Sequence, residues 1–69
     1  MNTSLRTVPV TIQFPGSDVE AVFTVTLRHG EFIDAVAVLE DGRTMTFDEV
    51  EAAGVDGADL AETLLRGAR

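Results

Sequence analysis

The stretch from Phe32 to Phe47 constrains the fold more than any other part of the chain, because its pattern predicts two strands joined by a tight turn at Asp41-Gly42. Asp-Gly readily supplies the positive φ angles that both central positions of a type I′ hairpin turn require. With these two residues as the loop, the predicted cross-strand pairs are Glu40 with Arg43, Val38 with Met45 and Val36 with Phe47. Cross-strand partners share one face of a sheet, so this pairing buries the apolar residues together.

Two further strands precede this hairpin. From Thr7 to Phe14 and from Val19 to Leu27, apolar and polar residues alternate, which is typical of half-buried strands. Pro9 has no N–H to donate to a ladder and therefore predicts an edge strand. Residues 15–18 form a turn signal, with Pro15 and Gly16 suited to the centre of a type II turn. The resulting register pairs Phe14 with Val19, Ile12 with Ala21 and Val10 with Phe23.

The turn between the second and third strands leaves two registers open. A loop at His29-Gly30 sets Arg28 opposite Glu31, and a loop at Gly30-Glu31 sets His29 opposite Phe32. Both place Phe23 and Val25 on the face of Val36 and Val38, because they differ by a full side-chain period. The third strand, roughly residues 32–40, is also apolar on its second face. A strand that is apolar on both faces is usually central and covered on both sides. If no other part of this chain covers it, the second face forms an exposed patch and a candidate interface, comprising Val22, Ile33, Ala35, Ala37 and Leu39.

After Phe47 the period changes to that of helices. Both Thr46 and Asp48 fit a capping box, with Glu49 and Glu51 respectively, so either can begin a short helix that stops at Gly54. Asp56 predicts the N-cap of a longer helix over residues 57–66, ended by Gly67. Its apolar face contains Leu60, Ala61, Leu64 and Leu65.

The predicted fold is α+β: a four-stranded antiparallel meander followed by a short and a longer C-terminal helix, packed on one sheet face. The 69 residues predict a flexible lead over residues 1–5 and a single domain over residues 6–69. The longer helix is expected to cover Val8, Val10, Ile12, Phe23, Val25, Val36, Val38, Met45 and Phe47.

Charge is the most unusual global property. The formal net charge is -7, with 12 acids, five arginines and no lysine. Residues 31–62 contain ten of the acids and only one arginine, Arg43. Direct binding of nucleic acid or of an anionic membrane is disfavoured, because phosphate contacts require clustered cations. A basic surface on another protein is the electrostatically favourable partner.

Residues for catalysis are scarce. The chain has no Cys, Lys, Tyr or Trp, and its single histidine, His29, falls in a turn where an exposed side chain is expected. Ser4 and Ser17 have no histidine placed to activate them. We therefore expect no enzymatic activity, no cofactor and no metal site. The sequence has no apolar segment long enough to predict a signal peptide or a membrane span. The absence of cysteines suits a reducing compartment, so we expect a cytoplasmic protein.

At the level of class, the chain resembles small acidic phage-encoded inhibitors of the anti-CRISPR type. The shared features are short length, a compact α+β pattern, the missing catalytic set and acids concentrated in one half. Some members of that class imitate the charge of DNA and occupy a cationic groove on a CRISPR effector complex. The resemblance implies a non-enzymatic inhibitor that acts in the host cytoplasm on such an effector or on another nucleic-acid-binding complex. The contacts predicted from the charge distribution of this chain are Glu40, Asp41, Asp48, Glu49, Glu51, Asp56, Asp59 and Glu62.

An alternative function comes from the apolar second face of the third strand. In that interpretation the protein is a small structural or assembly subunit that associates through Val22, Ile33, Ala35, Ala37 and Leu39. The expected oligomeric state is a monomer or a weak homodimer.

Overall fold

A computed structural model describes residues 5–14 and 16–69 of the chain, and within them four strands precede two helices. The antiparallel strands follow one another across a single sheet in the order β1-β2-β3-β4. This arrangement confirms the predicted α+β fold. The elements are β1 Leu5–Gln13, β2 Glu20–Arg28, β3 Glu31–Leu39, β4 Thr44–Thr46, α1 Phe47–Ala52 and α2 Gly57–Ala68.

The β1–β2 hairpin has the register that its alternation predicts. Val10 pairs with Phe23 and Ile12 with Ala21 without interruption, and the Phe14 N–H donates to the Val19 carbonyl at 2.7 Å. Gly16 has a φ of 78°, which suits the second central position of a type II turn. Pro15, the other residue predicted for the centre of this turn, lies outside the described residues. So do residues 1–4 of the predicted lead, whereas Leu5 already belongs to β1.

Pro9 lies on the outermost strand, as predicted. Because Phe14 and Val19 form a hydrogen-bonded pair, alternate pairs back along β1 bond to β2 and the pairs between them do not. Pro9, opposite Thr24, belongs to one of the pairs that are not hydrogen-bonded. Its nitrogen therefore faces the free edge of the sheet, where no ladder hydrogen bond is lost.

The β2–β3 connection uses the first of the two predicted turns. His29 and Gly30 have φ angles of 53° and 81°, as a type I′ turn requires, and Arg28 pairs with Glu31. The register then shifts: Leu27 pairs with Phe32 but Thr26 pairs with Asp34. Ile33 is therefore an extra residue in a β-bulge, and beyond it the faces of β3 are exchanged relative to both predicted registers.

The β3–β4 turn contains three loop residues, Glu40, Asp41 and Gly42, instead of the predicted two. The Leu39 N–H donates to the Arg43 carbonyl at 2.8 Å, and the Gly42 N–H donates to the Leu39 carbonyl at 2.9 Å. Gly42 has a φ of 91°, as expected where a tight turn ends in a residue of left-handed conformation. Met45 consequently lies opposite Ala37 and not opposite Val38.

The bulge and the longer loop together reverse the predicted faces of β3. Ala35 and Ala37 are buried in the core, whereas Val38 is exposed and Val36 is only half-buried. The prediction that Val36 and Val38 lie beneath the helices is therefore wrong. Helices pack against this face of β3, and small alanine side chains allow a closer approach than valines do.

Both helices begin at the predicted caps. Thr46, the first of the two candidates, caps α1 through a capping box with Glu49, and Asp56 caps α2. Phe47 opens α1 and does not extend β4. Ala53 is the C-cap of α1, and Gly54 follows it with a φ of 102°, as predicted for a helix stop. The second helix continues through Gly67, which was predicted to end it.

The core lies between one face of the sheet and the two helices. Phe23, Val25, Val50 and Leu64 are fully enclosed. Phe32 and Phe47 remain on this inner face, with ring centroids 5.4 Å apart. Gly67 of α2 lies so close to Val10 that a side chain at residue 67 would collide with it. The opposite, outer face of the sheet has no helix on it among the described residues.

Candidate functional site

The eight acids predicted to contact a partner are all exposed. They come from three segments: the β3–β4 turn, α1, and the α1–α2 junction with the first half of α2. The turn contains Glu40 and Asp41; the helical segments contain Asp48, Glu49, Glu51, Asp56, Asp59 and Glu62.

The fold brings several of these acids to one end of the sheet, around the β1–β2 turn. One depression beside this turn is lined by Ser17, Val19, Glu40 and Asp41 among others. A second depression is lined by Gly16 of the same turn and by Asp56 and Asp59, among others. Asp18 belongs to this turn as well. We call this surface the acidic end and define it by Asp18, Glu40, Asp41, Glu51, Asp56 and Asp59.

Glu51 belongs to the acidic end because its carboxylate lies directly against Gly57, the first residue of α2. A side chain at residue 57 would occupy the space of this carboxylate. The end of α1 and the start of α2 therefore place their acids side by side, next to the β1–β2 turn.

Two of the five arginines lie away from the acidic end. Arg6 and Arg28 lie at the opposite end of the sheet, near the β2–β3 turn that contains His29, because Arg28 pairs with Leu5 and Arg6 with Leu27. Each of these strands has nine residues, so the two ends are about 30 Å apart. Arg43 lies within the acidic end, and its Nε donates to Asp41 Oδ2 at 2.6 Å.

Four of the eight predicted acids have structural contacts of their own. Asp41 Oδ1 accepts the Arg43 N–H at 3.0 Å. This backbone hydrogen bond, followed by the contact with the Arg43 guanidinium, holds the pKa of Asp41 below its ordinary value of 3.8. Glu49 accepts the Thr46 N–H at 2.9 Å and Asp56 accepts the Ala58 N–H at 3.0 Å. Glu62 pairs with Arg66 at 2.6 Å.

The other four predicted acids have no side-chain hydrogen bond or ion pair within residues 5–14 and 16–69. They are Glu40, Asp48, Glu51 and Asp59. Their carboxylates are available for contacts with another molecule without loss of a cap or an ion pair. Asp18 was not among the predicted contacts, although its turn lies at the same end of the antiparallel sheet as the β3–β4 turn.

The predicted apolar interface on β3 requires a correction. Ala35 and Ala37 are almost completely buried in the core, and Leu39 packs partly against that core. Val22 and Ile33 are exposed as predicted, at 37% and 49%, and Val38 replaces the alanines on the outer face at 37% exposure. The exchange of faces at the bulge is the physical cause of this difference.

An apolar depression, which we call the tip cleft, lies on the inner face where the β1–β2 and β3–β4 turns meet. Its apolar walls are Phe14, Val19, Leu39 and Met45, its volume is about 410 Å³, and Glu40, Asp41 and Arg43 lie among its other lining residues. The Phe14 ring stacks on the fully buried Phe23 with centroids 6.4 Å apart. This stacking anchors one wall of the cleft to the core.

His29 and Ser17, two other residues considered for chemistry, both lie in turns. His29 is exposed in its turn, and Ser17 Oγ accepts the Val19 N–H at 3.1 Å. Across the described ranges, no three His, Asp or Glu side chains are grouped closely enough to hold a metal ion. Neither α1 nor α2 has the length and apolar character that a membrane crossing needs.

The fold thus defines an open antiparallel α+β sheet with helices on one face and an acidic end. Comparisons with protein-family models, with curated proteins and with solved structures give no match to this chain.

Proposed function

We propose that this protein is a non-enzymatic inhibitor whose acidic end occupies a basic, nucleic-acid-binding site on a partner protein. The observation that supports this proposal is the segregation of charge. Acids from the β1–β2 turn, the β3–β4 turn and both helices meet at one end, while Arg6 and Arg28 lie at the other. Such an arrangement steers a basic surface towards one end of the molecule.

The class of partner follows from the resemblance to anti-CRISPR inhibitors and from the charge. A groove that binds nucleic acid presents clustered Arg and Lys side chains, and carboxylates at the acidic end would compete with phosphates for them. A CRISPR effector complex is the first partner to test, and other nucleic-acid-binding complexes come next.

The test compares two variants with equal changes in net charge. Glu40→Gln/Asp59→Asn removes two charges from the acidic end, and neither side chain has a hydrogen bond or ion pair with the described residues. Glu31→Gln/Asp34→Asn removes two charges from β3 and serves as the matched control. The measurement is competition between the protein and duplex DNA for a purified, guide-loaded effector, at rising salt.

We expect the acidic-end variant to lose competition by about 10-fold and the control by less than about 2-fold, because charge contacts at an interface depend on position. Affinity of the wild type should fall as salt rises. Equal losses in the two variants would show that total charge acts, and salt-independent binding would count against imitation of nucleic acid.

A second candidate function rests on the outer face of the sheet. Val22 and Val38 are direct cross-strand partners there, and with Ile33 they leave exposed apolar side chains on a face without helices. Association of two copies through this face would make the protein an assembly subunit. Val38→Asp should then abolish a dimer detected by light scattering, and a wild type that stays monomeric at high concentration would exclude this function.

A further inference from the structure

We infer that the tip cleft receives one apolar side chain that a partner protein presents between basic residues. This inference rests on the proposed function and adds a specific anchor to a surface otherwise described by charge alone. The cleft and the acidic end share the same two turns, so a single partner segment can contact both.

The shape and lining of the cleft favour an apolar occupant. Its volume of about 410 Å³ falls in the range of ligand pockets and exceeds what one leucine or phenylalanine side chain requires. Val19 is 42% exposed, and Phe14, Leu39 and Met45 are each half-buried. An apolar side chain seated among these four would remove further apolar surface from water.

The charge around the cleft determines which partner residues can lie beside that apolar side chain. Two carboxylates, Glu40 and Asp41, line the cleft together with Arg43, whose Nε is already held by Asp41. Asp18 lies in the β1–β2 turn, between the lining residues Ser17 and Val19. Basic residues beside the apolar anchor would find carboxylates on both turns, whereas acidic residues would be repelled. A buried apolar anchor with a charged rim is the usual distribution of energy in a protein interface.

The first arm of the test uses a short glycine-serine peptide with one leucine between two arginines. Controls replace its leucine by glycine or its arginines by glutamates. Binding to isotope-labelled protein is followed by NMR. We expect the largest shift changes at Val19, Leu39 and Met45, and an affinity at least about 5-fold above that of either control.

The second arm changes the protein. Val19→Gln should weaken binding of the leucine peptide about 5-fold, while Val22→Gln, at a similarly exposed valine on the outer face, should leave it unchanged. Arg43→Gln should tighten binding about 2-fold, because it frees Asp41. Equal binding of the glycine control, shift changes centred on Val22 and Val38, or equal effects of the two valine variants would overturn the inference.

The outcome separates this inference from the proposed function. If the effector competition fails while the leucine peptide still binds the cleft, the proposed function is wrong and the cleft remains a binding site. If Glu40→Gln/Asp59→Asn abolishes competition but Val19→Gln changes neither competition nor peptide binding, charge alone acts and the cleft inference is wrong.

Discussion

The first hairpin of this sheet joins two strands in an unbroken register, whereas the pairing register of β3 differs by one residue from the predicted register at each end of the strand. Between β1 and β2, every pair from Leu5 with Arg28 to Gln13 with Glu20 follows in order. In β3, the bulge at Ile33 exchanges the two faces, and the three-residue loop after Leu39 compensates. Phe32, Met45 and Phe47 therefore all lie on the inner face, and only the segment between the two displacements is reversed.

The comparison shows what fixes a register. In β1 and β2 one face is apolar and the other is mainly polar, with Val22 as the exception in β2, so a slip of one residue would expose the core side chains. In β3 both faces are apolar, and such a strand has no pattern that opposes a slip. Side-chain size then decides the outcome: alanines lie beneath the helices, and valines, which favour strands, lie on the open face.

The largest effect that tests this comparison is expected from a charge introduced on β3. Ala37→Asp should cost more than about 4 kcal/mol, because it buries a carboxylate without a partner. Val38→Asp, one residue further on, should cost less than about 1 kcal/mol because Val38 is exposed. Urea unfolding of both variants measures the difference. The opposite ranking would mean that β3 has the register of a two-residue loop.

Truncation of aromatic side chains should show which of the two hairpins contributes more to stability. Phe23→Ala, in the centre of the first hairpin, should cost about 3–5 kcal/mol, because its ring is completely enclosed. Phe47→Ala should cost about 2 kcal/mol, because this ring is only half-buried at the start of α1. Thermal melts of the two variants provide the comparison, and a larger loss at Phe47 would place the centre of the core beneath α1.

Deletion of Glu40 should change stability by no more than about 1 kcal/mol. It converts the β3–β4 connection into the two-residue Asp-Gly loop that hairpins favour, while Leu39 and Arg43 still flank the loop as partners. NMR contacts between these two residues should persist. Exposure of Met45 in the deletion variant would instead show that loop length, and not the face of β3, sets the register.

The smallest expected effect concerns the turn of the second hairpin at low pH. The pKa of Asp41 is lowered in the folded protein, so its stabilising contribution is complete above its ordinary pKa of 3.8 and is lost as pH falls through the lower folded value. A carboxyl titration by NMR should give a midpoint below 3.8 for Asp41. Arg43→Gln should raise this midpoint but leave it depressed, because the backbone hydrogen bond remains. An unchanged midpoint in Arg43→Gln would show that the guanidinium does not contribute to the lowered pKa of Asp41.

Local signals predicted most of the fold. Alternation predicted the β1–β2 register, Pro9 predicted that β1 is an edge strand, and Thr46 and Asp56 predicted the starts of the two helices. Each of these features depends on residues close in sequence. The reversed segment of β3 could not be predicted in this way. A bulge and a three-residue loop also fit Phe32–Phe47, and the preference for alanine beneath the helices depends on packing between distant elements.

The candidate site shows the same division. Exposure of the eight acids follows from their residue type and position. Their meeting with Asp18 at one end, and the cleft formed by Phe14, Val19, Leu39 and Met45, required the turns of two hairpins to be placed side by side. The signal available in sequence was the apolar residue that borders each acidic turn, Val19 after Asp18 and Leu39 before Glu40.

Pro9 limits how this sheet can grow. Each exposed strand edge is a template on which a further strand can add, and addition requires a run of outward N–H donors. Along β1, Thr7, Pro9 and Thr11 direct their backbone nitrogens towards the free edge of the sheet. Pro9 has no N–H, so it divides the donors of this edge into two short runs. At the other edge, β4 has only three residues. The sheet therefore has a definite width at both sides, which favours contacts through its faces and its acidic end over fibre-like stacking.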